Sequence, residues 1–156
     1  MLAINRKGFS MIEGIMVVSV MGIVAAFGIP RISAALQRRT TASAADQFVV
    51  THSLARSTAL RYGRIAQLHV DPTAQSFWVD VDTSANGIGQ RATIANVRYV
   101  GGGGLQMISN RALLCFDARG LASTLGSCES GDAKVIFSDG VMADTVVTTI
   151  LGKVLR

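Results

Sequence analysis

The sequence predicts an α+β protein, a long N-terminal helix packed on an antiparallel β-sheet domain. Three observations carry this reading. From Phe9 to Ile29 the only ionisable residue is Glu13. Apolar residues then recur every three or four positions as far as Tyr62, the spacing of one helix face. Beyond Gly63 the period drops to two, the spacing of half-buried strands.

A chain of 156 residues suits one compact domain plus an appendage. Apolar residues make up 49% of it and charged residues 16%, and the apolar excess is concentrated at one end. As a helix, the stretch from Phe9 to Ile29 spans about 31 Å, close to the thickness of a bilayer core. This is the composition of a single-pass anchor carrying an exported domain. The net charge of +5 falls if Arg6 and Lys7 are removed with a leader. A surplus that small is compatible with nucleic acid without arguing for it.

The order of signals at the N-terminus is informative. A secretory signal has a basic start, an apolar stretch, and then a small-residue cleavage site. Here the basic Asn5-Arg6-Lys7 is followed by the small Gly8 before the apolar stretch begins. Cleavage at Gly8 would keep the apolar helix in the mature chain.

The run Gly8-Phe9-Ser10-Met11-Ile12-Glu13, with an apolar stretch ending at Pro30, resembles the type IV prepilin signature. The resemblance implies a peptidase on the cytoplasmic side that cuts after Gly8 and methylates the new N-terminal Phe9. It assigns Glu13, fifth in the mature chain, to filament assembly and Pro30 to a bend in the helix. It divides the chain into a leader (1–8), a transmembrane helix (9–29), an amphipathic continuation (30–63) and a β domain (64–156). Gly14 and Gly28 depart from the family pattern without touching the processing site.

Elementary energetics agree with this assignment. A carboxylate within an apolar span costs a few kcal/mol unless it finds a partner or lies near the interface. Glu13 lies about one turn from the amine that cutting at Gly8 would create. In a staggered bundle it could pair with the Phe9 amine of a neighbour; the alternative is a side chain reaching the headgroups. Arg6 and Lys7 precede the span and Arg31, Arg38 and Arg39 follow it, so charge alone leaves orientation undecided. Read with the prepilin resemblance, the short leader implies an inner-membrane anchor with the C-terminal domain in the periplasm.

Past Pro30, the residues Ala45, Phe48, His52, Ala55, Ala59 and Tyr62 share one face, and Gly63 is placed to cap the helix. His52 reads as a packing residue on that face. The segment Leu54–Leu60 followed by Gly63-Arg64 is similar to the domain shared by GspH pseudopilins and FimT minor pilins, with Thr58 where an acidic residue is usual. This second resemblance implies a minor subunit of a type II secretion pseudopilus or a type IV pilus. Its implied partners are other pilin-like subunits, a prepilin peptidase and an inner-membrane assembly platform.

Ala66, Leu68 and Val70 alternate with polar residues, as do Phe77, Val79 and Val81, and Asp71–Gln75 joins the two runs as a hairpin loop. Further strands are expected at Ala92–Val100, Ala112–Ala118, Lys134–Phe137 and Thr145–Arg156. Turns are expected at Ser84–Gly89, Gly101–Gly104 and Gly120–Gly131.

Cys115 and Cys128 form either a disulfide or two buried thiols, and the exported setting favours the disulfide. A metal site would want four ligands, and His52 and His69 bring no supporting spacing. Gly101–Gly104 lacks the lysine and hydroxyl residue of a phosphate loop. Asp80-Val81-Asp82 leads to no glutamate at the twelfth position of a calcium loop, where Arg91 stands. No nucleophile elbow is present, no cofactor is called for, and the chain reads as a non-enzyme. Some FimT-type pilins bind DNA through a glycine-arginine motif near the C-terminus. The tail here offers Lys153 and a displaced Arg156, joined by Arg91, Arg98 or Arg111 if the fold gathers them, so nucleic acid is a partner not favoured.

Overall fold

The computed structural model describes residues 9–83, 90–100, 102, 104–124, 128 and 131–156. The predicted leader with Gly8, the predicted turn at 84–89 and parts of those at 101–104 and 120–131 lie outside the described residues. Two compact units emerge, Met1–Leu36 and Gln37–Arg156.

Helix α1 spans Met11–Tyr62. Ser10 opens it, its carbonyl accepting the amides of Glu13 (3.0 Å) and Gly14 (3.2 Å). Glu13 therefore lies in the first turn, where the exposed amides favour a carboxylate. In the first unit α1 buries almost nothing: Met21 is 67% exposed and Phe27 72%. Helical structure continues through Pro30, which has no N–H to offer the Ala26 carbonyl.

Within the second unit α1 turns amphipathic. Ala44, Ala45, Phe48, His52, Ala55 and Ala59 are buried, and the four alanines among them let the backbone approach the sheets closely. Gly63 ends the helix at φ +62°, and the Arg64 amide reaches back to the Ala59 carbonyl at 3.2 Å. This is the closing bond of a glycine-terminated helix.

Two antiparallel sheets receive this face. The first is built on β1 (Ala66–Asp71) and β2 (Ser76–Asp82), flanked by β6 (Leu113–Phe116) on one side and by β3 (Arg91–Thr93) and β4 (Arg98–Tyr99) on the other. The second runs β5 (Gln106–Ser109), β7 (Ala133–Ser138), β8 (Ala143–Thr148), β9 (Val154–Leu155). Phe48 links the two, meeting Phe77 of β2 edge-on at 5.5 Å and Phe137 of β7 at 5.9 Å. The core faces of β1 and β2 carry the predicted Ala66, Leu68, Val70, Phe77, Val79 and Val81, all buried.

Three elements differ from the sequence expectation. The predicted strand Ala92–Val100 is two strands, because pairing with β2 changes register between them. Thr93 opposes Asp80 and Arg98 opposes Phe77, which leaves two extra residues on the outer chain and forces a bulge. The predicted strand Thr145–Arg156 is a hairpin of β8 and β9. Its turn is closed by bonds from the Thr149 amide to the Lys153 carbonyl and from the Gly152 amide to the Thr149 carbonyl, both 2.8 Å, with Gly152 at φ +73°. β5 was not expected from the sequence, since Met107 is its only buried residue.

The β1–β2 loop closes as predicted: Asp71 Oδ1 accepts the amides of Thr73 (2.8 Å) and Ala74 (2.9 Å). Gln75 then turns its side chain to the second sheet, donating Nε2–H to the Met107 carbonyl at 3.1 Å and accepting the Met107 amide. It occupies the outer edge of β5 as a further strand would.

Candidate functional site

Phe9, assigned to processing, and Glu13, assigned to assembly, lie just before α1 and in its first turn. Phe9 is 74% exposed, and Glu13 is exposed one turn further on. The neighbouring Met11, Ile12, Ile15 and Met16 are all more than half exposed, so this stretch presents a largely apolar surface with one carboxylate on it. A helix of this length and hydropathy is sufficient to cross a membrane. Such a surface is stable only against lipid or other apolar helices.

In the second unit Cys115 and Cys128 form a disulfide, with Cα atoms 5.8 Å apart. Both are buried. After β6 the chain folds back on it as far as Ser123: the Ser123 amide donates to the Cys115 carbonyl at 2.9 Å, and Phe116 and Ala122 form an isolated bridge. At the tip of this loop Asp117 accepts the amides of Leu121 (2.9 Å) and Arg119 (2.8 Å) through Oδ1. These bonds, that to Leu121 foremost, hold its carboxyl below the ordinary range. The covalent link thus ties Cys128 to β6, the edge strand along which Ala122 and Ser123 lie.

The basic residues considered as DNA contacts are dispersed. Arg91 and Arg98 belong to β3 and β4 at one edge of the first sheet, while Arg111 precedes β6 at the opposite edge. Arg156 is engaged. Its guanidinium binds Asp144 Oδ2 through Nε at 3.0 Å, pairs with Asp46 of α1 and donates to the Ala42 carbonyl. The hydrogen bond to Asp144, foremost among these contacts, raises its pKa further. Lys153 is exposed on the β8–β9 turn.

The two histidines are packing groups. His52 is buried and meets the Phe116 ring edge-on at 4.9 Å. Burial, with the nearby Arg56 charge adding to it, lowers its pKa to about 4, so it is neutral at physiological pH. His69 stacks flat on Trp78 at 4.8 Å, its Nε2 lying 3.1 Å from Asp80 Oδ2. The same carboxylate accepts the Trp78 indole N–H at 3.3 Å and the Thr93 hydroxyl at 2.9 Å. Asp80 therefore joins β1, β2 and β3 on their outer face, a role no local sequence pattern announces. Among the described residues no three His, Cys, Asp or Glu side chains converge as a metal would require.

No protein-family model matches the sequence, and no curated protein sequence matches it. The fold is similar to a solved one. The type IV minor pilin FimU of Pseudomonas aeruginosa superposes with a TM-score of 0.58 in one crystal form, covering 76% of this chain and 88% of that one at 14% identity. In a second crystal form the TM-score is 0.53, with 72% and 89% covered, again at 14% identity. The chain has a pilin-like fold, an apolar N-terminal helix packed on antiparallel sheets.

Proposed function

We propose that the protein is a minor pilin-like subunit of the GspH/FimT kind. It is cut between Gly8 and Phe9, N-methylated on Phe9, and held in the inner membrane by residues 9–29 with its β domain in the periplasm. From there it is taken into a type II secretion pseudopilus or a type IV pilus. The observation that carries this reading is the helix itself. One element, α1, begins as an exposed apolar rod bearing Glu13 in its first turn and ends as the packing partner of both sheets. That is the design of a subunit whose shaft is completed by copies of similar shafts. The likeness to FimU supports the same reading.

Glu13 is the assembly group in this account. An unpaired carboxylate in an apolar bundle costs a few kcal/mol, and the Phe9 amine of an adjacent subunit one turn away is the natural partner. Pro30 supplies the bend between the part of α1 in lipid and the part on the domain. The function is mechanical and interfacial, with no catalytic or cofactor role. The test is mass spectrometry of the mature protein together with a filament-incorporation assay. A chain starting at a methylated Phe9 and entering the filament supports the proposal. A chain starting beyond residue 30 overturns it.

A further inference from the structure

A groove of about 270 Å³ runs between α1 and the β8–β9 turn, lined on one side by His52, Ser53, Arg56 and Leu60 and on the other by Lys153 and Val154. Its charge is uncompensated. Among the described residues neither the Arg56 guanidinium nor the Lys153 ammonium has an ion-pair or hydrogen-bond partner, and no lining residue is acidic. His52, neutral at physiological pH, adds nothing to cancel or extend that charge. Gly120 helps set the position of Arg56, since a Cβ there would lie 3.1 Å from Arg56 Cγ. The same Cβ would lie 3.2 Å from Arg56 Nε, so the side chain that lines the groove passes close beside this glycine. Apolar side chains line the groove beside the two cations: Leu60, which is 52% exposed, and the partly buried Val154.

We propose that this groove docks a short segment of a partner protein carrying a carboxylate beside apolar side chains. Arg56 takes the carboxylate in its two-pronged geometry, Lys153 adds charge, and Leu60 and Val154 cover the apolar neighbours. The described side-chain carboxylates of a second copy are poor occupants. Among residues 37–156 each of them already has a partner: Asp46 and Asp144 in Arg156, Asp117 in Arg119, Asp80 in His69, and Asp71, Asp132 and Asp139 in backbone amides. Asp82 also has a partner. A nucleic acid is the poorer match as well, because two cations make a short phosphate track and the one ring in the lining, His52, is buried and offers no face for a base to stack on. The proposal goes beyond filament membership and is independent of it, since the groove lies wholly within the β-domain unit.

The experiment is fluorescence anisotropy on the full-length protein in detergent micelles. The probes are short labelled peptides with Leu and Glu in permuted order, the same peptides with Gln for Glu, and a labelled DNA duplex. We expect at least one Glu peptide to bind, and its Gln counterpart to bind about tenfold more weakly, the factor that about 1.4 kcal/mol represents. The double variant Arg56→Gln, Lys153→Gln should lose the Glu peptide to at least the same extent. Lys153→Gln alone, on an exposed turn, gives a smaller loss in the same direction and guards against a folding defect in the double variant. Binding with no Glu-over-Gln preference, equal binding to the variants, or no peptide binding overturns the proposal. So does a preference for the duplex, or self-association, that the variants abolish. Processing at Gly8 is read separately by mass spectrometry, so loss of either idea leaves the other standing.

Discussion

Arg156 and Asp46 lie 110 positions apart in sequence and form an ion pair that fastens the tail of the chain to α1. The same guanidinium holds Asp144 of β8, so a single side chain joins the helix to the second sheet. Both partners are partly solvated, the Asp46 side chain by 65%, which keeps the stabilisation modest.

Replacing Arg156 by Ala is expected to lower stability by about 1 kcal/mol, at the upper end for solvated pairs because two carboxylates share the cation. The loss should shrink as salt rises, since screening weakens the wild-type pairs. Arg156→Lys should recover only part of it, for an ammonium cannot reproduce the forked contact. Thermal unfolding at two salt concentrations checks this. Equal losses at low and high salt would rule out the electrostatic account.

Opening the Cys115–Cys128 link is expected to cost about 3 kcal/mol in the chain-entropy model, given its closed loop of modest length. The double Ser variant should melt earlier while keeping the same sheet signature in circular dichroism. Alkylation under non-reducing conditions should modify neither cysteine in the wild-type protein. Two modified thiols would show that the link is not formed in the mature protein.

Acid should destabilise the domain in a defined window. His52 has a folded pKa of about 4 against an ordinary 6.5, so the unfolded chain binds the proton more readily. Stability therefore falls as pH drops from 6.5 towards 4, by up to roughly 3 kcal/mol, and is unaffected by this group above that range. His69 acts in the same sense, burial lowering its pKa against the opposing pull of Asp80. Denaturant melts of His52→Leu across this window should show a flatter slope than wild type. A slope identical to wild type would show that His52 does not carry the effect.

Filament incorporation should depend on Glu13 in a way that membrane insertion does not. Removing the carboxylate makes the span more apolar, so Glu13→Ala should insert fully and accumulate in the membrane fraction while entering filaments poorly. A bulky or charged replacement of Gly8 should instead leave the chain uncut. Normal incorporation of Glu13→Ala would refute the pairing role.

What could be read from the sequence tracks how local the physics is. The helix, its Gly63 terminus and the β1–β2 hairpin follow from periodicities within a few residues, so they were legible. The break between β3 and β4 was not, because it is set by which β2 residues Thr93 and Arg98 meet. The β8–β9 turn left a partial signal in Gly152, outweighed by the apolar residues on either side. Gln75 on the edge of β5 and Asp80 between three strands are products of distant encounters, and so is the groove at Arg56 and Lys153. Arg156 was legible as a cation; its engagement by Asp46 and Asp144 was not.

That engagement decides the expectation for DNA. A cation already shared between two carboxylates must break both contacts before it can neutralise a phosphate. Arg91 and Arg98 stand at one edge of the first sheet and Arg111 at the other, so the fold does not collect these three into one track. The one adjacent aromatic pair is divided between faces, Phe77 in the core and Trp78 stacked under His69, so these two rings do not form a joint stacking platform of the kind single strands use. Duplex DNA should therefore bind the full-length protein in detergent no more tightly than the nonspecific range of about 10⁻⁴–10⁻⁶ M at physiological salt. Titration at two salt concentrations, with wild type and the Lys153→Ala, Arg156→Ala double variant, gives the answer. Clearly tighter binding that falls steeply with salt and collapses in the double variant would make DNA uptake the better account of the protein.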